Sequence, residues 1–189
     1  MSIFRLERPF ILFLKVLFYP IAKIRNMYYS IGFSCRNLIL GKNVSISGSR
    51  NIKIGNRVII GNQNWLDAIG DGQIIIGDDV SFSQNVHIAA CKLVTIKDGC
   101  LIGSDVLITD HNHSFGRSLN VCVPKLRPLV VKGPTILGEN IWVGDNVKIL
   151  TGVSLGNNVV VAANSVVISS FPSDVIIGGI PARIIKEIT

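Results

Sequence analysis

The sequence has few residues of several kinds, and each scarcity narrows the class of protein. Four cysteines, at positions 35, 91, 100 and 122, form no CxxC pair and have no metal-like spacing, and nothing resembles a cleavable signal peptide. We therefore expect a reduced cytoplasmic protein in which Cys91 and Cys100 are small buried side chains. The cationic residues are scattered and lack interleaved aromatic platforms, so nucleic acid is not an expected partner.

Aromatic and charged residues are also scarce, at 7% and 16% of the 189 residues. Hydrophobic residues make up 48%, which is enough to fill a narrow continuous core of Ile, Val and Leu. The length fits one domain. The net charge of +7 suits an anionic cofactor or an anionic membrane surface.

A strict six-residue repeat is the main feature of the C-terminal half. No α-helix keeps a period of six on one face, whereas an even period keeps side chains on one side of an extended strand. Gly and Asn follow the aliphatic anchors, and these residues tolerate the positive φ of tight turns. The pattern predicts stacked short strands joined by bends, with anchors at Leu137, Val143, Ile149, Leu155, Val161 and Val167.

Units such as Leu137-Gly138-x-x-Ile141-x and Val143-Gly144-x-x-Val147-x resemble the hexapeptide repeat of left-handed parallel β-helix proteins, and the resemblance covers most of residues 40–171. The segment from Gly178 to Glu187 resembles the closing G-x-P-A-[RK] segment of hexapeptide acyltransferases. The resemblance implies an all-β repeat fold. We expect an N-terminal helical segment at 1–36, a β-helix at 37–172 with an external loop at 112–134, and a C-terminal segment at 173–189 with a short helix beginning near Pro181.

The first thirty residues differ from the repeats, because residues 10–22 are apolar apart from Lys15 and are flanked by basic residues. Thirteen residues are too few to span a bilayer, which needs about 20. A basic, aromatic-rich helix of this kind can lie in a membrane interface, on the inner face of the cytoplasmic membrane. Alternatively it packs over the open end of the β-helix or against a neighbouring subunit, through Phe10, Phe13, Leu14 and Leu17. The sequence leaves both interpretations open.

The repeat stops once, after Ile108, and returns at Leu137. The interval contains several Pro and Gly residues and reads as a loop, and a loop of this length in a compact domain is usually functional. In galactoside, maltose and bacterial polysaccharide O-acetyltransferases, which this chain resembles, a histidine at the same place is the general base. His111 is the matching residue. Imidazole suits this role because it can take a hydroxyl proton at neutral pH.

The resemblance also implies a substrate site around this base. His113 would share a strand face with His111, and His87 lies in the preceding coil region. Trp142 resembles a tryptophan beside the active site in galactoside-type enzymes, and Asn85 lies near where that family holds the acceptor. We therefore expect His87, His113, Asn85 and Trp142 to contact the acceptor.

In this family acetyl-CoA, the acyl donor, lies in a groove between coils of two subunits, which implies a homotrimer. Gly144, Asp145 and Ala163 match the groove, and Arg183 and Lys186 match its basic outer end. Ser169 stands where relatives often carry a lysine, so one cationic contact is missing. No metal is expected in this reading.

The leading interpretation is an acetyl-CoA-dependent O-acetyltransferase acting on a sugar hydroxyl of a cell-surface polysaccharide or its precursor. Its nearest variant is an N-acetyltransferase for an amino sugar nucleotide. A metal hydrase of the γ-class carbonic anhydrase type uses three histidines, and this chain has three. A non-catalytic binding scaffold is the remaining alternative.

Overall fold

The protein is described by a computed structural model over residues 8–116 and 122–188. It is a parallel β-solenoid of about seven coils preceded by one long helix. Each full coil contributes one short strand to each of three parallel sheets, which we call the first, second and third faces. The parallel β-helix expected from the repeat is therefore confirmed.

The three faces contain strands stacked in register. The first face consists of β1 (Ile39–Leu40), β4 (Ile59–Ile60), β7 (Ser81–Phe82), β10 (Leu101–Ile102), β15 (Trp142–Val143), β18 (Val160–Val161), β20 (Val175–Gly179) and the antiparallel β21 (Ala182–Glu187). The second face consists of β2 (Ser45–Ser47), β5 (Trp65–Ala68), β8 (His87–Ala90), β11 (Leu107–Thr109), β16 (Lys148–Ile149) and β19 (Val166–Val167). The third face consists of β3 (Ile52–Ile54), β6 (Gln73–Ile76), β9 (Leu93–Ile96), β14 (Thr135–Leu137) and β17 (Ser154–Leu155).

The core is a column of aliphatic side chains along the axis of the solenoid. On the second face Leu66, Ile88, Ile108 and Ile149 stack in register, and all are buried. The six-residue anchors occupy the same inward positions on all three faces. Because each strand lies about 4.8 Å from the next, every coil completes the burial of its neighbours.

The corners use asparagine and glycine for different reasons. Asn140, Asn146, Asn158 and Asn164 have positive φ, as the sequence predicts for a turn. Gly144 does not; a Cβ there would lie 2.7 Å from the backbone nitrogen of Ala163 in the next coil. Glycine at that place therefore permits close stacking of coils rather than an unusual φ.

The N-terminal helix α1 (Pro9–Gly32) covers the first coil with its C-terminal half only. Asn26 Oδ1 accepts from the backbone of Leu40, and Ser30 Oγ accepts from the backbone of Leu38. Phe33, just after the helix, packs against the core. The expectation that Phe10, Phe13, Leu14 and Leu17 pack over the open end is wrong within one chain, since all four are exposed. Polar side chains nearer the solenoid make the contact instead. No helix in the described ranges is long and apolar enough to cross a membrane.

The C-terminal segment contains no helix among the residues that the structure describes, which corrects the prediction of a short helix near Pro181. Strands β20 and β21 form an antiparallel hairpin, and Pro181 lies in its turn. The last parallel strand, β20, would otherwise leave an open edge, and the returning strand pairs with it. Within the hairpin Ala182 is buried, while Ile184 and Ile185 are exposed.

Candidate active site

The solenoid is interrupted where the chain leaves the corner between the second and third faces. After β11 the chain forms β12 (His111–His113), which pairs antiparallel with β13 (Leu129–Val131) before β14 resumes the third face. The predicted external loop thus begins and ends as a β-hairpin. A 3-10 turn at Pro124–Leu126 precedes β13, and residues 117–121 lie outside the described part of the chain.

A buried carboxylate occupies the corner from which the hairpin departs. Asp110 has no exposed surface, and it accepts backbone N–H bonds from Cys91 at 2.8 Å and from Lys92 and Leu93 at 2.7 Å each. In the coil below, the equivalent amide of Gln73 donates to a carbonyl of the next coil. Because the departing chain supplies no such carbonyl for Leu93, the carboxylate of Asp110 takes its place. Buried amides require a partner, and one side chain here provides it for three.

The same carboxylate contacts the predicted general base. His111 Nδ1 lies 3.1 Å from Asp110 Oδ1 and 3.0 Å from Thr109 Oγ1. A neutral imidazole that donates from Nδ1 to the carboxylate leaves Nε2 without a proton. The His111 side chain is 13% exposed, so it is held in place yet open to the surface. This geometry is that of an oriented proton acceptor.

Two threonines fix the backbone on which the base stands. The Thr135 hydroxyl donates to the carbonyl of Thr109 at 3.0 Å, and the Thr151 hydroxyl donates to the carbonyl of Asp110. Both threonines are buried. The position of His111 is therefore held by strand pairing in the hairpin, by the bonds of Asp110 to the preceding coil, and by the two threonines that follow the hairpin.

His87 lies on the outer side of the second face, one coil before the base. Its ring stacks on Trp65 with centroids 4.3 Å apart, and its Nε2 is buried and has no hydrogen-bond partner among residues 8–116 and 122–188. Burial lowers the pKa of His87, the nearby Asp67 raises it and His111 lowers it. Burial therefore disfavours a positive charge on this ring.

The other residues predicted to contact the acceptor occupy different places. His113 is exposed and shares a strand with His111. Asn85 is a corner residue with positive φ, and its Nδ2 donates to Asp105 at 2.5 Å. Trp142 is exposed on the first face between Leu101 and Val160. His111 and His113 thus lie together on β12, at the corner between the second and third faces. His87 lies at the start of the second face, in register with Leu107 and two residues after Asn85, and Trp142 lies on the first face.

Most of the predicted cofactor residues lie along the corner between the first and second faces. Asp145 Oδ1 accepts from the backbone of Ser104, and Gly144 stacks on Ala163. Arg183 is paired with Gly178 in the C-terminal hairpin, and Lys186 lies farther along the same strand. Ser169 is exposed beyond β19, at the corner between the second and third faces. The structure therefore brings Gly144, Asp145 and Arg183 to one corner and leaves Ser169 at the other.

The site also contains three side chains with metal-ligating atoms. One ligand atom from each of Cys91, Asp110 and His111 lies within 4.8 Å of the others. Burial and the Asp110 charge raise the pKa of the Cys91 thiol, and both Asp110 oxygens already accept backbone N–H bonds. These facts fit a hydrogen-bonded support for His111 better than a metal centre. Within the described ranges, the three histidines do not form one ligand group in a single chain.

Comparison with known proteins assigns the repeat. A family model described as "Bacterial transferase hexapeptide (six repeats)" matches residues 134–169. The chain carries the bacterial transferase hexapeptide repeat.

Similar hexapeptide-repeat proteins are named as acetyltransferases. WbbJ of Escherichia coli (strain K12), which carries the provisional name of a lipopolysaccharide biosynthesis O-acetyl transferase, is 44% identical over 126 residues, covering 65% of this chain and 64% of WbbJ. The galactoside O-acetyltransferase of the same organism is 32% identical over 115 residues, covering 61% of this chain and 54% of that enzyme. The chain thus spans about three fifths of the length of these relatives. The resemblance to hexapeptide-repeat acetyltransferases that the sequence predicts is confirmed.

A similar solved structure contains the acyl donor acetyl-CoA. The hexapeptide-repeat acetyltransferase VCA0836 from Vibrio cholerae O1 biovar eltor, complexed with acetyl-CoA, is 27% identical and superposes with a TM-score of 0.59. The match covers 85% of this chain and 76% of VCA0836. Acetyl-CoA is therefore bound by a protein that shares this fold.

One site residue was missed by reasoning from the sequence. Asp110 is adjacent to His111, yet no role is predicted for it from the sequence. A usable signal exists: Ala68 and Ala90 occupy the inward corner position in the two preceding coils, and Asp110 follows them in the same register. A carboxylate where an alternating pattern demands a small apolar residue indicates a buried partner for it.

Proposed function

We propose that this protein transfers the acetyl group of acetyl-CoA to a hydroxyl of a sugar, in a cell-surface polysaccharide or its precursor. The observation that carries the proposal is the oriented imidazole of His111, whose Nδ1 is held by a buried carboxylate at the only point where the described solenoid opens. The hexapeptide-repeat relatives named as O-acetyltransferases support the reaction type.

The reaction follows from the position of Nε2. The acceptor hydroxyl donates its proton to His111 Nε2 as its oxygen attacks the thioester carbonyl. The imidazolium that forms is stabilised by the Asp110 carboxylate at Nδ1, 3.1 Å away. When the tetrahedral intermediate collapses, the C–S bond breaks and His111 returns its proton to the coenzyme A thiolate. The products are the acetyl ester and coenzyme A.

The two halves of the proposed site lie on opposite edges of the second face. Gly144 and Asp145 belong to the corner between the first and second faces, and His111 stands at the corner between the second and third. His111 is six positions after Asp105, which lies at the first of these corners, and six positions of extended chain span at most about 20 Å. A donor bound along one corner would meet His111 most directly if a neighbouring copy supplied that corner. This supports a homotrimer in which each donor is enclosed between two copies.

The test is thiol release from acetyl-CoA by the purified full chain, with a panel of cell-envelope sugars that offers hydroxyl acceptors and amino acceptors separately. His111→Ala should reduce turnover by at least about two orders of magnitude, the scale of losing a general base. Its affinity for coenzyme A should stay nearly unchanged, because Gly144, Asp145 and Arg183 lie at the other corner.

His113→Ala is the matched control, since it removes an exposed histidine two residues away on the same strand; it should cost much less. Thiol release only with amino sugars would replace the O-acetyl proposal by N-acetylation. Equal losses in both variants with activity restored by zinc would instead support the metal hydrase. Sedimentation near the monomer mass of 20.5 kDa would contradict the trimer.

A further inference from the structure

The helix α1 presents an unbroken apolar stripe away from the solenoid. Spacings of three and four residues place seven large side chains on one side of the helix, and each is between 53% and 71% exposed: Phe10, Phe13, Leu17, Ile21, Ile24, Tyr28 and Ile31. At 1.5 Å per residue the 24-residue helix is about 36 Å long. So long an exposed apolar surface marks an interaction site.

The opposite side of the helix holds it to the protein. Asn26 and Ser30 are partly buried and bond to the first coil, and the Arg25 guanidinium donates to the carbonyl of Leu40. These contacts fix which side faces outward. Because one side is held against the solenoid, the helix can bury its stripe only in something that meets the protein from outside.

The charge around the stripe has one sign. Residues 8–36 contain five Lys and Arg residues and no Asp or Glu. The cations lie outside the stripe: Arg8 precedes the helix, Lys23 and Arg25 lie toward the flanks of the stripe, and Lys15 lies on the side of the helix that faces the first coil. The segment also holds seven of the 13 aromatic residues of the chain, including all three tyrosines. Aromatic and basic side chains around an apolar stripe are typical of helices that lie in a membrane interface.

We propose that α1 lies in the surface of a membrane that contains anionic lipid, with the stripe in the acyl boundary and the flanking cations among the phosphates. The inference does not depend on the proposed acetyl transfer. If both hold, the enzyme acts beside the leaflet in which lipid-linked acceptors are presented.

A second copy of the chain is the competing occupant of the stripe. Burying identical stripes against each other would bring the cations of several helices together, and residues 8–36 provide no acidic side chain to neutralise them. An anionic leaflet supplies that charge and attracts each nearby cation by roughly 1 kcal/mol. Charge complementarity therefore favours the lipid surface.

Flotation of the full chain with phosphatidylcholine vesicles containing about a third phosphatidylglycerol tests the proposal. The wild-type chain should float at low salt, and binding should weaken at about 0.5 M salt, where charges are screened within a few ångströms. Phe13→Ser with Leu17→Ser should reduce the partition coefficient by at least about tenfold. Arg8→Gln and Lys23→Gln should each reduce it about fivefold.

The matched control is Phe18→Ser with Tyr29→Ser, which removes two exposed aromatic side chains of the same helix that lie off the stripe. It should keep most of the flotation. Sedimentation of each variant without lipid reports on the competing occupant. The proposal is overturned if wild type and stripe variant float equally, or if the stripe variant loses oligomeric mass while the cation variants float like wild type.

Discussion

The regular coils and the coil that the hairpin leaves differ in how deeply their polar side chains are buried. In the regular coils most corner side chains are exposed and link one coil to the next, as Asn146 Nδ2 does to Asn164 Oδ1 at 2.9 Å, although Asn64 is buried and bonds to the backbone of Ser83 and Val86. At the departure point Asp110 points inward and bonds to the backbone of the coil below. The difference shows how a repeat acquires a site: interrupting it leaves amides without partners, and the carboxylate that satisfies them also holds a base.

The largest expected effect comes from replacing the buried carboxylate of Asp110. Asp110→Asn keeps the size of the side chain but replaces one acceptor oxygen by an NH₂ group, which faces backbone N–H donors. Leaving buried donors unpaired costs about 1–3 kcal/mol each, so we expect a loss of about 3 kcal/mol or more in the free energy of unfolding. Turnover should also fall, because the carboxylate charge that stabilises the protonated form of His111 is removed. Urea unfolding and thiol release measure the two effects.

Asp105→Asn is the matched control, since the same change is made at an exposed corner, where the Asp105 carboxylate accepts a bond only from the Asn85 side chain among the contacts described. It should cost less than about 1 kcal/mol, as is usual for surface substitutions. If the two variants are equally stable, the buried carboxylate does not have the role assigned to it.

A smaller effect is expected from changing a corner in the regular part. Asn158 has φ of 56°, and its Nδ2 donates to Asp174 at 2.8 Å. Asn158→Ala should lower the free energy of unfolding by about 1–2 kcal/mol, since alanine is strained at positive φ. Asn158→Gly tolerates the angle and should recover part of that loss. Thermal unfolding of the two variants separates strain from the lost bond, and equal losses would show that strain is not the cause.

The fold followed from the sequence because its repeat is strict. Every anchor from Leu137 to Val167 is buried. A six-residue period can place all of these side chains in one core only if the chain forms stacked strands, because a helix does not keep this period on one face. The prediction of a C-terminal helix was wrong because Pro181 fits a helix start and a hairpin turn equally well. What decided between them was the open edge of β20, which no local pattern reveals.

The site was less predictable, for a physical reason. His111 could be found because it stands where the repeat stops. Asp110 acts on amides of a coil 17 to 19 residues earlier, so its role is visible only once the coils are stacked. The stack of His87 on Trp65 is likewise a contact between coils. Residues that act across coils have no signature in the local sequence.

The smallest expected effect is on the pH dependence of the free energy of unfolding, which tests the stack of His87 on Trp65. Burial lowers the pKa of His87, so the folded protein keeps the ring neutral at a pH where the unfolded chain binds a proton. The stability that this neutral ring contributes is fully present above about pH 6.5 and is lost as the pH falls from there through the folded pKa. One proton limits the loss to about 1.4 kcal/mol per pH unit.

His87→Phe keeps an aromatic ring on Trp65 but binds no proton, so its free energy of unfolding should fall less between pH 7 and pH 5, measured by urea unfolding. His113→Phe, at an exposed position, should follow the wild-type profile. A parallel decline in all three proteins would mean that His87 is not kept neutral by the fold.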